Sequence, residues 1–191
     1  MTKQAKTLTP AEVRRVMDFI ATRPHAARNR AMLLMTHQAG MRVGEVAALR
    51  YCDVLNGDGS IRDEIHLSAE QTKGKHSRTV FVNTKMRKEL ALYVIEVPPK
   101  DKSRALFYTQ KEPTRGFTAN TLSQFFHVLY KAVGLEGASS HSGRRTFATT
   151  LASKGVGVRV LMRAMGHRNI STTIGYIDAS DDMLRNAVNL A

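Results

Sequence analysis

His141–Tyr176 reads HSGRRTFATTLASKGVGVRVLMRAMGHRNISTTIGY. Its glycines punctuate it into short helices. The first should start after Ser139-Ser140, carry His141, Arg144 and Arg145 in its first turns and end before Gly155. Val158–Met165 should be a second, closed by Gly166, and Ser171–Tyr176 a third. The stretch therefore makes this end of the chain helical, and it gathers His141, Arg144, His167 and Tyr176 into a small volume. Cationic forks neutralise phosphoryl oxygens while a phenol attacks, so these side chains suit chemistry on a phosphodiester without a metal.

Working outward, the helical pattern continues upstream over Asn120–Val133, closed by Gly134, and over Thr84–Ile95 before the Pro98-Pro99 loop that runs to Arg115. Asn56-Gly57-Asp58-Gly59 is a hairpin turn signal, and Ile61–His66 and Thr79–Val82 have the β-branched content of strands. Between those strands lies a basic turn, Thr72-Lys73-Gly74-Lys75-His76-Ser77-Arg78. Near the N-terminus, Thr9-Pro10-Ala11-Glu12 is a helix start with a capping box, so residues 1–7 are expected as a flexible lead. Arg28–Gln38 should be a helix that stops at Gly40, and Val43–Leu49 a short one. Downstream, Asp181–Asn189 should be the last. The prediction is a mainly α domain with a small antiparallel β-sheet, an α+β fold spanning 1–191 as one unit without internal repeats.

The chain has 191 residues, enough for one packed core. Its 29 Lys and Arg against 16 Asp and Glu give a formal charge of +13, a field attractive to polyanions and to nucleic acid first. A membrane surface would need a basic amphipathic helix or a lipidation signal, and neither is evident. MTKQAKTLTP lacks a signal-peptide core and no run is long enough to span a bilayer, which points to a cytoplasmic protein. The single cysteine, Cys52, excludes an internal disulfide and reads as a small core residue.

A metal-dependent nuclease needs converging carboxylates. The adjacent acidic pairs here, Asp63-Glu64 and Asp181-Asp182, read as solvated positions, and no phosphate-binding glycine loop occurs. His141 and Arg144 lie one turn apart on a predicted helix, spaced to grip one phosphate. Alone that pair is a weak signal. It sharpens because Gly166-His167 and Tyr176 follow with Ser171-Thr172-Thr173 between them. His25, His37, His66, His76 and His127 are scattered without ligand spacing and read as ordinary surface or core residues.

Taken together, these motifs resemble the catalytic domain of the tyrosine recombinase (phage integrase) family. Ala39-Gly40-Met41-Arg42-Val43-Gly44-Glu45 resembles the family's T-G-x-R-x-x-E segment, and Lys73 matches its hairpin lysine. His141–Thr149 resembles H-x-L-R-H-T-F-A-T, and Met165–Tyr176 resembles L-G-H-x-x-x-x-T-T-x-x-Y. The match runs in order across nearly the whole chain. Departures fall at Ala39, at Gly143 in place of leucine, which should loosen its turn, and at Arg145 in place of a second histidine.

The resemblance implies a tyrosine recombinase fold and a site-specific recombinase that cleaves and rejoins duplex DNA through a 3′-phosphotyrosyl intermediate, without metal, ATP or other cofactor. It implies Arg42 and Arg144 as the clamp on the scissile phosphate, Tyr176 as nucleophile and His141 as its assistant. It implies Lys73 as general acid and His167 as a further phosphate ligand donating a hydrogen bond. Glu45 should brace Arg42, and Lys75, Arg78, Arg145 and Arg168 are secondary candidates for DNA contact. Double-stranded DNA is the implied partner and a homotetramer on two sites the implied assembly, with 177–191 docking on a neighbouring subunit; no small-molecule ligand or membrane partner is expected. No N-terminal core-binding domain is read in the chain, making it either the catalytic domain of a longer recombinase or a compact one. Type IB topoisomerase-like relaxation and a non-catalytic DNA-binding remnant are the alternatives.

Overall fold

The computed structural model describes residues 4–109, 115–176, 184–185 and 188–189. Its elements run α1 (Pro10–Ala21), α2 (Ala26–Gln38), α3 (Val43–Ala47), α4 (Tyr51–Val54), β1 (Glu64–Leu67), β2 (Arg78–Phe81), α5 (Thr84–Glu96), α6 (Ala119–Ala132), α7 (Ser142–Ser153), α8 (Val158–Met165) and α9 (Ile170–Ile174). The predicted class holds: a mainly helical fold with a two-stranded antiparallel sheet. Among the described residues no helix is long and apolar enough to cross a membrane.

The best-read element is α1. Thr9 accepts from the Glu12 amide at 3.2 Å while Glu12 accepts from the Thr9 amide at 2.9 Å, and Pro10 occupies the first turn. That reciprocal cap satisfies two otherwise unpaired donors. Structure begins earlier than predicted, however. The Lys6 amide bonds the Gly137 carbonyl at 3.1 Å, Thr7 Oγ1 accepts from Arg145 at 3.2 Å, and Leu8 is buried with its amide on Thr146 Oγ1 at 2.9 Å. Residues 6 and 7 of the expected lead thus have partners, Gly137 in the loop before α7 and Arg145 in α7.

At the centre is α2. Ala31, Met32, Leu33, Leu34 and Met35 are all buried, so the helix is enclosed on every side rather than striped, and it packs against α1, α5 and α7. Each fully buried large apolar side chain of this kind contributes about 1.5–3 kcal/mol. In the sheet, Ile65 faces Val80 and both point into the core, with Leu67 beside them. The Asn56–Gly59 turn makes one isolated bridge, Leu55 to Ile61, and the paired strands lie further on.

Three local expectations are corrected. Val43–Leu49 ends at Ala47, and an unpredicted turn of helix, α4, follows. Because α4 buries Tyr51 and Val54, three apart on one face, Cys52 is turned outward and is exposed rather than core. Gly143 does not loosen α7: a Cβ there would lie 2.7 Å from Thr36 Cβ and 2.9 Å from His37 Cδ2. Its missing side chain lets α7 press directly on α2. Beyond α7 a separate small apolar cluster, Ala148, Ala152, Leu161 and Met165, joins α7 to α8. Within the predicted Asp181–Asn189 helix, Leu184, Arg185 and Val188 are helical; the other residues of that helix except Asn189, and the rest of the 177–191 docking segment, lie outside the described residues.

Candidate active site

The site is assembled at the C-terminal ends of two helices. After α2, Gly40 takes the left-handed conformation (φ 61°), and a Cβ on it would collide with the Phe147 ring, 2.6 Å from Cε1. After α8, Gly166 does the same (φ 62°), with its amide on the Arg163 carbonyl and the His167 amide on the Met162 carbonyl, both at 3.0 Å. This is the Schellman arrangement that ends a helix on glycine. Carbonyls of a helix's last turn lack intrahelical donors and carry partial negative charge. At the end of α8 arginines fill them, and just past α2 one also takes the carbonyl of Gly40 itself. Arg144, nearly fully buried, donates to the Gly40 and Met165 carbonyls, and Arg78 donates to the Ala164 carbonyl at 3.0 Å. Burial first, then the charges of Arg42 and Arg78, push the Arg144 guanidinium down to about 9, which leaves it cationic at neutral pH.

Glu45 is the anionic hub of the cluster. Its Oε1 accepts from Arg42 Nη1 at 2.9 Å and Arg78 Nε at 3.1 Å; its Oε2 accepts from the Arg42 amide at 2.8 Å and Arg78 Nη2 at 2.7 Å. Burial alone would raise this carboxyl, but the Arg78 hydrogen bonds and charge, helped by Arg42, hold it below its usual range. Glu45 thus braces Arg42, as expected, and also a second arginine that the sequence did not link to it. Arg78, a candidate DNA contact, is turned inward, with its side chain only 10% exposed.

His167 lies 2.9 Å from Arg144, Nε2 to Nη2, and 3.0 Å from Thr173 Oγ1 through Nδ1. A guanidinium only donates, so Nε2 carries the lone pair and Nδ1–H donates to Thr173. Burial, reinforced by Arg144, Arg42 and Arg78, lowers His167 to about 4, so the ring is neutral at pH 7. Tyr176 sits beside it, ring centroids 5.6 Å apart, with its amide on the Thr173 carbonyl at 2.9 Å.

Two recesses flank this core. A cleft of about 500 Å³ is lined by Arg42, Lys73, His76, Arg78, His167 and Arg168. A smaller one, about 280 Å³, is lined by His141, Arg145, Gly175 and Tyr176 together with Gln4 and Ala5. Of the six principal candidates, Arg42, Lys73 and His167 line the first recess, His141 and Tyr176 line the second, and Arg144 is bonded to His167, whose ring meets Tyr176.

The one-phosphate grip by His141 and Arg144 is not formed. Arg144 points inward to the two helix ends, whereas His141 is exposed at the N-terminal boundary of α7. Arg145 leans on the Tyr176 ring, 5.9 Å from guanidinium carbon to centroid. Lys73 and Lys75 are exposed in the β1–β2 turn, and Lys75 adopts φ 51°. His76, read as an ordinary histidine, accepts from Arg168 Nη1 at 2.7 Å within the first recess. Nothing in its spacing signalled this, because the partners are 92 residues apart. Among the described residues no group of three or more His, Cys, Asp or Glu is placed to hold a metal ion.

The profile of the Phage integrase family matches residues 6–183. The chain is 27% identical over 194 residues to transposase A from transposon Tn554 of Staphylococcus aureus, a match covering 98% of this chain and 52% of that protein. The crystal structure of XerA recombinase superposes with a TM-score of 0.76 at 23% identity, covering 97% of this chain and 64% of that one. A Tn1549 transposon integrase solved in complex with circular intermediate DNA gives 0.75 at 22% identity, covering 100% and 68%. The chain thus spans about half the length of that transposase, and the solved structures share its fold.

Proposed function

The chain belongs to the phage integrase family, and on that premise we propose that it is a site-specific DNA recombinase acting through Tyr176. One observation carries the reading: a buried arginine, Arg144, contacts His167, whose ring lies against Tyr176, beside a cleft lined by Arg42 and Lys73. A phosphodiester in that cleft meets cations from three separate elements next to a phenol. Double-stranded DNA is the proposed substrate, in keeping with the +13 charge and with the DNA present in the Tn1549 integrase complex.

In the proposed reaction the Tyr176 oxygen bonds to phosphorus as the bond to the 5′ oxygen breaks. The phenol proton passes to His141 or to water, and Lys73 protonates the departing 5′ oxygen. Arg42 and Arg144 offset charge on the non-bridging oxygens; phosphoryl transfer depends mainly on such positioning and stabilisation. The phosphotyrosyl bond preserves the diester's energy, so a 5′ hydroxyl rejoins the strand by the reverse step. His167 takes part differently from the simplest expectation. With its Nε2 lone pair facing Arg144, it donates to a phosphoryl oxygen only after gaining a proton or changing tautomer, and an anion in the cleft favours the proton.

Lys75 and Arg168 are proposed to follow the DNA backbone beside the cleft, and Arg145 to hold the Tyr176 ring. Homotetramer assembly on two sites, with residues 177–191 reaching a neighbouring subunit, is proposed from family membership. So are a single catalytic unit over 1–191 and action on DNA in the cytoplasm.

The test uses a nicked duplex selected for binding from a randomised pool, incubated with the protein in excess chelator. A covalent adduct is expected, absent in Tyr176→Phe while DNA affinity is retained. An adduct that survives Tyr176→Phe would refute the proposal, as would no adduct from wild type. Recombination between paired sites is expected over relaxation of a supercoiled plasmid carrying none.

A further inference from the structure

We propose that His76 is a positioning residue for Lys73: its Nε2 accepts from Arg168 and latches the β1–β2 turn to the loop after α8. The inference rests on the reading of Lys73 as general acid. Its structural half does not.

The turn that carries Lys73 runs from Leu67 to Arg78 and projects beyond a sheet of only two strands. Its base is fixed, because Arg78 is held by Glu45 and the Ala164 carbonyl. Its tip needs its own support. Thr72, buried, binds the His76 backbone twice: its Oγ1 accepts from the His76 amide at 3.1 Å and donates to the His76 carbonyl at 2.8 Å. Lys75 takes the left-handed conformation to close that loop. These contacts fix the shape of the turn but not its placement over the cleft. The His76 side chain supplies placement, reaching Arg168 Nη1 at 2.7 Å across the recess that Lys73 also lines. Arg168 directly follows His167, whose ring is held by Arg144 and Thr173, so the latch ties the Lys73 turn to a loop with its own buried anchor.

The latch works with one protonation state. Arginine offers only donors, so the His76 proton must lie on Nδ1 and the ring must be neutral. The groups facing it are cationic from every side: Lys73, Lys75 and Arg78 on its own hairpin, Arg42 at the start of α3, and Arg168 with neutral His167 on the α8–α9 loop. Glu45, the nearby carboxylate of the cluster, is already paired with Arg42 and Arg78. Without that acceptor the turn swings free and Lys73 loses its fixed approach to the leaving oxygen, a displacement of the kind that costs rate rather than affinity.

Two measurements test this. Long-range nitrogen–proton NMR on the free protein should show His76 as the Nδ1–H tautomer at pH 8, with the Arg168 side-chain signal shifted in His76→Ala; an Nε2–H tautomer overturns the latch. In single-turnover adduct formation at neutral pH, His76→Ala should be slower by about 10-fold or more with DNA affinity within about 3-fold. His76→Gln, which also offers Arg168 an acceptor, should keep the wild-type rate. An unchanged rate in His76→Ala, or a rate in His76→Gln as slow as in His76→Ala, overturns the inference. Wild type that forms no adduct would instead refute the tyrosine mechanism, and the NMR tautomer would still decide the latch.

Discussion

Replacing Glu45 by glutamine isolates the charge that organises the cationic cluster. The carboxylate receives four hydrogen bonds, two on each oxygen, from Arg42 and Arg78, and it is 1% exposed. An amide keeps the shape but turns one of those oxygens into a donor, so whichever way it is oriented two bonds are lost and two donors face each other. It also leaves two guanidiniums repelling without an anion. Breaking a buried ion pair by neutralising one partner costs about 3–5 kcal/mol, a large share of a domain stability of about 5–15 kcal/mol. Urea unfolding at pH 7 should show that loss in Glu45→Gln as a lower midpoint with unchanged slope. Because the folded-state carboxyl is held below its ordinary value of 4.5, its contribution is present above that pH and fades as pH falls through the lower folded value. The difference between wild type and variant should therefore be widest at neutral pH and narrow on acidification. A gap under about 1 kcal/mol at pH 7, the range of exposed pairs, or one that stays constant down to pH 3, would refute the account.

Three further outcomes follow from the same geometry. Gly143→Leu, which restores the residue common in the family, should destabilise by about 1–3 kcal/mol or more through overlap with Thr36 and His37, seen as a drop in urea midpoint; Thr36→Gly should recover part of the loss. Arg144→Lys should slow adduct formation about 10²–10³-fold in single-turnover assays, because one ammonium cannot serve the Gly40 and Met165 carbonyls, His167 and a phosphate together. Finally, DNA binding at pH 5 should take up a proton: His167 is neutral there in the free protein, at about 4, and a neighbouring phosphate raises it. Calorimetry in buffers of different ionisation enthalpy should detect the uptake in wild type and not in His167→Gln.

What the sequence disclosed and what it hid divide along one physical line. Capping is local, so Thr9-Pro10-Glu12 and Gly166 announced the start of α1 and the end of α8 correctly. The motif residues were legible for the same reason, since each lies in a short run whose spacing is set by one helix or turn. Contacts between runs were not. Glu45 with Arg78, Gly143 with Thr36 and His76 with Arg168 join residues that no periodicity relates, and α4 is too short for a pattern of its own. Yet the glycines carried more than their capping role implied. Gly40 and Gly166 each end a helix in the left-handed conformation and leave terminal carbonyls directed at arginines. In a chain of charge +13, like charges gathered at one point would repel. The helix ends and Glu45 offset that repulsion before any phosphate arrives, so the arginines are held in place rather than recruited. On the proposed reading, a phosphodiester entering the cleft would meet arginines already oriented there, which would keep reorganisation small at the moment of reaction. Two glycines that look like mere helix stops thus help to hold Arg144 and Arg78 in place where the proposed clamp would need them.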